Sequence, residues 1–212
     1  MSERSGGYDD GYRECYCFWG RERSSLVGEL EKIVPSFAGY SILDVGCGEG
    51  KNAAYFAHRG ANVLAVDVSP LAISNARRAW PDVAGIEWEC SDATALSFGV
   101  ERFDIVVAYG LYHCLQGQDE IRTLQRRFAR ATKLGGYHVI CAFNSRQQDL
   151  RAHPGFQPCL CQHRFYLDLY SDWELLSATD SDLVEVHPNN GILHSHSMTR
   201  LLARKTNNHD LD

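Results

Sequence analysis

The chain has 212 residues, 44% of them hydrophobic and 23% charged, and carries a formal net charge of −6 at neutral pH. This length and composition fit one ordinary globular domain, and no apolar run approaches the ~20 residues that a membrane-spanning helix needs. The acidic balance disfavours a nucleic-acid partner, because phosphate binding draws on a basic face. The one basic run, Arg126, Arg127, Arg130 and Lys133, falls on an expected helix and reads as its solvated side. Met1 to Gly20 is polar, acidic and aromatic, without the basic start and apolar stretch of a secretory signal, so a cytoplasmic location is expected.

In chain order, an irregular aromatic arm precedes a helix at about Arg21 to Ile33. Ser41–Val45 reads as a strand, Lys51–Arg59 as a helix ended by Gly60, and Asn62–Val66 as a second strand. Ser69-Pro70 opens a helix that runs to about Trp80, serine suiting the N-cap and proline the first turn. Strands at Ile86–Cys90 and Phe103–Ala108, a helix over Asp119–Lys133 and a strand at Tyr137–Ala142 follow. Residues 143–165 read as an insertion over the edge of the sheet. The last third is strand-rich over Asp172–Val186, turns at Pro188-Asn189-Asn190-Gly191 and ends in a strand at Ser197–Arg204. Strands alternating with helices imply an α/β domain built on a parallel sheet, here with a C-terminal antiparallel hairpin strand. The expected organisation is a single domain: an arm and helix over 1–36, a core over 37–142, the insertion over 143–165, C-terminal strands over 166–205 and a tail over 206–212.

Of eight cysteines, Cys47, Cys90, Cys114 and Cys141 fall on strands and motif loops as small apolar residues. Cys15/Cys17 and Cys159/Cys161 form C-x-C pairs, but paired zinc ligands usually stand at least two residues apart, so no metal is expected.

The chemistry concentrates at four places. Leu43-Asp44-Val45-Gly46-Cys47-Gly48-Glu49-Gly50 carries a strand into a turn with alternating glycines and then a helix, a shape that lets a ligand lie against backbone. Asp44 and Glu49 flank the turn, which suits a ligand with positive charge rather than the pyrophosphate of a G-x-G-x-x-G site. Asp67 ends the second strand at the distance from the glycines where an acid accepts from ribose hydroxyls. Ser91-Asp92-Ala93 follows the third strand, and Tyr109-Gly110-Leu111-Tyr112-His113-Cys114 the fourth. All four lie at carboxyl ends of adjacent strands, where open α/β sheets bind ligands.

The runs ILDVGCGEG, VLAVDVS, CSDATAL and FDIVVAYGLYH together resemble motifs I to IV of class I S-adenosylmethionine (SAM)-dependent methyltransferases. The stretch GEGKNAAYFAHRGANVLAVDVSP and the ending HSHSMTRLLARK are similar to the tellurite-resistance/thiopurine methyltransferase-like branch, which acts on small molecules. The resemblance implies a Rossmann-like fold with a mostly parallel seven-stranded sheet, a C-terminal antiparallel hairpin strand and helices on both faces. It implies SAM as cofactor, S-adenosylhomocysteine (SAH) as product and a small-molecule acceptor, a thiol, chalcogen or secondary metabolite. By position, Asp44, Gly46, Gly48 and Gly50 would wrap the methionine part, and Cys47, Asn52 and Ser69 are further cofactor-binding candidates. Asp67 would hold the ribose, Val68 would lie by the adenine, Asp92 and Ala93 would meet its edge, and Tyr109 would lie beneath the sulfonium. The N/D-P-P-Y/F run of nucleic-acid amino-methyltransferases is replaced here by AYGLYH, and the acids that hold magnesium in catechol-type enzymes are missing from that loop.

For catalysis, His113 is the candidate base, with Tyr109 or Tyr112 lining the pocket and His196 reaching the acceptor from the final hairpin. The plainer readings, a core or capping His113 and exposed turn histidines at His194 and His196, stand beside these. Tyr16 and Trp19 in the arm are candidate lid residues, and Arg146 and His194 candidate acceptor-site residues; His187 is expected at the surface. Alternatives are a methyltransferase of protein or RNA, a non-catalytic SAM-binding protein and an NAD-dependent oxidoreductase; the assembly is expected to be a monomer or homodimer.

Overall fold

The computed structural model describes residues 8–207. Its elements are α1 (Asp9–Glu14), α2 (Ser25–Ile33), β1 (Ser41–Val45), α3 (Lys51–Ala57), β2 (Asn62–Asp67), α4 (Pro70–Ala79), β3 (Ile86–Cys90), β4 (Phe103–Tyr109), α5 (Gln118–Ala131), β5 (Thr132–Gln148), α6 (His163–Asp168), β6 (Glu174–Val186) and β7 (Leu193–Arg204), with a 3-10 turn at Tyr112–Cys114. The seven strands form one sheet in the order β3-β2-β1-β4-β5-β7-β6. The strands from β3 to β5 pair in parallel; β7 runs antiparallel to both β5 and β6. The expected fold is the observed one.

Period-two alternation divides the central strands between two cores. Ile42, Val63, Ala65, Ile105, Val107 and Val139 face α2 and α3, where Leu26, Leu30 and Phe56 cover them. Leu43, Val45, Val66, Val106, Ala108 and Ile140 face the opposite side, covered by Ile121, Leu124 and Phe128 of α5 and by Tyr166, Tyr170 and Trp173. Burial on both faces explains why these strands are continuously apolar. The start of α4 follows its sequence: Pro70 sits in the first turn and the Ser69 hydroxyl accepts from the Ala72 amide at 3.1 Å.

Several boundaries differ from expectation: α1 is a helix in the arm read as irregular, α2 starts at Ser25 rather than Arg21, α6 is a helix where none was expected, and β5 and β7 run longer. α5 ends at Ala131, and β5 begins at Thr132, pairing with Phe103 before the chain shifts register at Gly135-Gly136. At its far end β5 continues to Gln148, which pairs with His196, so residues 143–148 of the expected insertion are strand. The hairpin strand likewise begins at Leu193 rather than Ser197. The added length comes from pairing across the sheet: β6 and β7 stay in register from Val186–Leu193 back to Ser177–Leu202. This carries the hairpin past the carboxyl ends of the parallel strands, over the ligand side.

Candidate active site

A cavity of about 640 Å³ opens at the carboxyl ends of β1, β2 and β4. Its floor is the loop after β1. Gly46 and Gly48 have φ of +67° and +54°, a left-handed backbone that only glycine adopts cheaply, and the Gly46 and Cys47 amides both donate to the Val66 carbonyl. Gly48 donates to the Asp67 carboxylate at 2.8 Å, and Ser69 donates to its other oxygen at 2.9 Å. Asp67 is thus clamped at the end of β2 with its carboxylate on the cavity wall, and burial raises its pKa. Val68, Asp92, Ala93, Tyr109, Cys47 and Asn52 line the same cavity. Asp92 is itself oriented, accepting from the Thr94 amide and hydroxyl. Desolvation pushes Tyr109 up to about 12, so its phenol stays protonated at neutral pH.

The N-terminal arm roofs the cavity. Tyr8, Tyr12, Phe18 and Trp19 line it. The arm is held at several points: the Glu49 carboxylate accepts from the Cys17 amide at 3.0 Å and from Asn75 at 3.1 Å, Asn75 also donates to the Tyr12 carbonyl, and Lys51 donates to the Trp19 carbonyl. Sequence reasoning placed Glu49 toward the ligand's charge; its bonds show an anchor for the arm. At the other end the hairpin supplies Leu183, Glu185, His187, Met198 and Arg200. None of these five was foreseen as a site residue, because their approach depends on where the hairpin ends.

The residues matched by the family described as "Methyltransferase domain" are 42–136, the stretch that builds this floor. Residues 42–136 of this chain are therefore a methyltransferase domain. Among curated relatives, a demethylmenaquinone methyltransferase from Clavibacter sepedonicus is 34% identical over 130 residues, 59% of this chain and 50% of that protein. A magnesium-protoporphyrin O-methyltransferase from Rhodobacter capsulatus is 36% identical over 91 residues, 42% of this chain and 39% of that one. The chain spans about half the length of the curated relatives it matches. Two solved structures share its fold. One, solved for the conversion of a disulfide bond into a thioacetal group during echinomycin biosynthesis, has a TM-score of 0.73 at 26% identity and covers 100% of this chain and 96% of its own. The other, TehB from Haemophilus influenzae, has a TM-score of 0.72 at 20% identity over 95% of this chain and 67% of its own.

Within this methyltransferase domain several expected site residues lie elsewhere. Asp44 is 1% exposed beneath the loop, off the cavity wall; its Oδ2 has no hydrogen-bond partner among the described residues, and burial pushes its pKa up to about 7. Gly50 also stands off the wall: a side chain there would run into the Trp88 ring, so its role is to let that ring pack at the start of α3. Ser69 is spent on capping α4, and Asn52, though on the wall, accepts from the Ser24 amide and so braces α2. Tyr112 is fully buried beside the Tyr170 hydroxyl, because the 3-10 turn rotates it into the core. Arg146 is exposed and paired with Asp180 and Asp182 along the outer edge of the sheet. Tyr16 is 47% exposed under the Arg78 guanidinium.

His113 does line the cavity, but as a poor base. The Phe143 amide donates to its Nδ1 at 3.1 Å, which takes the lone pair of the neutral ring and leaves the proton on Nε2, 3.3 Å from the Tyr8 hydroxyl. Burial and then the nearby His196 and His153 hold its pKa at about 3. The ring therefore orients Tyr8 by donating to it. His187, expected at the surface, is 3% exposed with Phe18 stacked on it; His194 and His196 are 2% and 0% exposed. His194 and His196 sit behind the cavity wall with His153, because β7 begins early enough to carry both into the sheet.

Proposed function

We infer that the chain transfers a methyl group from SAM to a small-molecule acceptor. The observation that carries this reading is the clamped Asp67 and the Gly46–Gly48 loop lining one closed-over cavity with the aromatic arm and the hairpin. A volume of about 640 Å³ is of the size that ligand pockets have, and the buried, unpartnered Asp44 oxygen beneath the loop favours a positively charged ligand above it.

When bound, SAM supplies a methyl carbon activated by its sulfonium. Asp67 would hold the ribose hydroxyls with the lone pairs left after its two backbone bonds, and Asp92 the adenine amine. Val68 and Ala93 would supply the apolar contact for the adenine. Tyr109, a protonated phenol, donates rather than accepts a proton. Tyr8, Trp19, Phe18 and Met198 exclude water from the space where the acceptor stands and align it. His113 on the wall is a poor base, which fits an acceptor that arrives as an anion or as a strong nucleophile. The curated relatives named above act on quinone-type and porphyrin molecules by their names, which supports a small organic acceptor.

Calorimetric titration with SAH and, separately, NAD tests the reading. Micromolar binding of SAH alone is expected. Asp67→Ala should weaken it by about tenfold or more, as loss of paired hydrogen bonds to a ligand does. Binding of NAD but not SAH would overturn the assignment.

A further inference from the structure

Four groups that the proposed reaction does not use converge at the hairpin end of the cavity. His153 comes from the loop after β5, Glu185 from the end of β6, and His194 and His196 from the start of β7. The strand register places them: Glu185 pairs with His194, and His196 follows two residues on, so the three side chains share one face. His153 Nε2 lies 3.2 Å from His194 Nε2 and 3.1 Å from His196 Nε2. Glu185 Oε1 lies 3.7 Å from the first of these strand nitrogens and 3.8 Å from the second, and all four ligand atoms fall within 4.8 Å of one another. Nitrogen ligands at about 2.1 Å from a shared cation stand roughly 3.0–3.4 Å apart, the spacing seen between these imidazoles.

Proton accounting leads the same way. His194 Nδ1 lies 2.8 Å from the Ile192 carbonyl, which can only accept, so the proton of the neutral ring is on Nδ1 and Nε2 presents a lone pair. His196 Nδ1 lies 2.7 Å from Gln148 Oε1. The orientation of that amide is fixed, because its nitrogen donates to the Asn144 and Ser197 carbonyls at 2.8 Å. His196 Nε2 is therefore a lone pair as well. Both lone pairs point at His153 Nε2, which carries at most one proton, and His187 Nε2 stands 3.2 Å from that same atom. Hydrogen bonds among neutral rings leave at least one lone pair facing another, a buried arrangement that costs free energy. A cation at the centre satisfies the lone pairs of His153, His194 and His196 together, and the Nδ1–H bonds to a carbonyl and an amide oxygen are those that ligating histidines make.

We propose that His153, His194, His196 and Glu185 bind one divalent first-row transition cation in the wall of the cavity. Imidazole and carboxylate donors without a thiolate suit zinc, iron, nickel or cobalt. Glu185 and His187 belong to the cavity lining, so the cation faces the space assigned to the acceptor. There it would hold an acceptor through an oxygen or sulfur atom and favour its anionic form; this role, unlike the site itself, rests on the methyltransferase reading.

The test uses the untagged full chain. Elemental analysis of the purified protein should find about one transition-metal ion per chain. After stripping with dipicolinate, titration with Co²⁺ should restore one ion with a visible d–d spectrum. His194→Gln and His153→Gln should lower Co²⁺ affinity by about 100-fold or more. Gln148→Leu, which keeps every ligand, should lower it by about 10–100-fold. His58→Gln, at an exposed position, should leave it unchanged. Circular dichroism on each variant separates lost ligation from lost folding, and His153, on a loop, is the variant most secure in this respect. A stripped wild-type chain that takes up no Co²⁺ at micromolar concentration, or folded ligand variants that bind as wild type does, would overturn the site. Acetohydroxamate and 2-mercaptoethanol, added separately, should shift the Co²⁺ spectrum according to whether oxygen or sulfur is preferred; a spectrum unmoved by both would overturn the acceptor role. SAH titration of the stripped protein keeps the two readings apart: SAH binding without cation uptake fails only the metal site, and cation uptake without SAH binding fails only the methyltransferase reading.

Discussion

Asp44 shows how one side chain can be costly to the fold and useful to the site. Its carboxyl is buried, one oxygen is unpartnered, and desolvation moves its pKa from 3.8 to about 7. The folded-state value lies above the unfolded one, so the unfolded chain releases this proton first as pH rises. Asp44 therefore costs nothing below about pH 4, and its penalty grows through about pH 7. Asp44→Asn should raise Tm by about 2–4 °C at pH 8, as a gain near 1 kcal/mol does in a chain of this size, with the gain gone at pH 4. Equal Tm differences at both pH values, read by calorimetry, would place the effect elsewhere. Gly50 makes the opposite kind of demand. With φ at +79° and the Trp88 ring in its Cβ position, Gly50→Ala adds strain and overpacking together. Chemical denaturation should register a loss of about 2 kcal/mol or more.

At the scale of elements, the arm and the hairpin decide access. α1 packs on α4, and Tyr12, Phe18 and Ala72 form a small core of their own with Trp19. The polar ties are identifiable. Asn75 holds both the Tyr12 carbonyl and the Glu49 carboxylate, and Asn75→Ala leaves two buried acceptors short of a donor. A cost of about 1–3 kcal/mol is expected. It should fall mainly on the arm: limited proteolysis should cut before Ser24 sooner in the variant, while the rest of the chain resists. A uniform rise in cleavage would instead make the arm part of the main core. The hairpin works differently, since its pairing with β5 is long and its histidines are buried. It forms the wall opposite the roof that the arm makes.

Across the whole molecule, stability should be graded from the centre outward. β1, β4 and β5 are covered on both faces, whereas β6 has exposed Val184 and Val186 at its end and β3 is largely half-buried. Hydrogen exchange should be slowest in β1, β4 and β5 and faster in β3 and in the outer part of β6. SAH should protect the arm and the loop after β1 more than any strand at the hairpin tip. Protection confined to the hairpin would move the ligand away from the glycine loop and against the assignment made here.

The sequence by itself determined the order of strands and helices, the glycine turn, the acid at Asp67 that ends the second strand and the methyltransferase-domain match over 42–136, because each rests on local periodicity or on contiguous motifs. Strand ends and the spending of polar side chains were beyond it. His113 looked like a base until the Phe143 amide, thirty residues away, was found on its Nδ1. Tyr112 and Asn52 were drawn into packing and bracing by neighbours the motif does not contain. His153, Glu185, His194 and His196 are spread over 44 positions, with no ligand-like spacing between the loop and the strands that carry them. Only the register of β6 on β7, and the loop folded against it, brings their ligand atoms to one point. Tertiary structure decides such features because they depend on which lone pairs and protons meet across the fold, and a linear pattern holds no record of that.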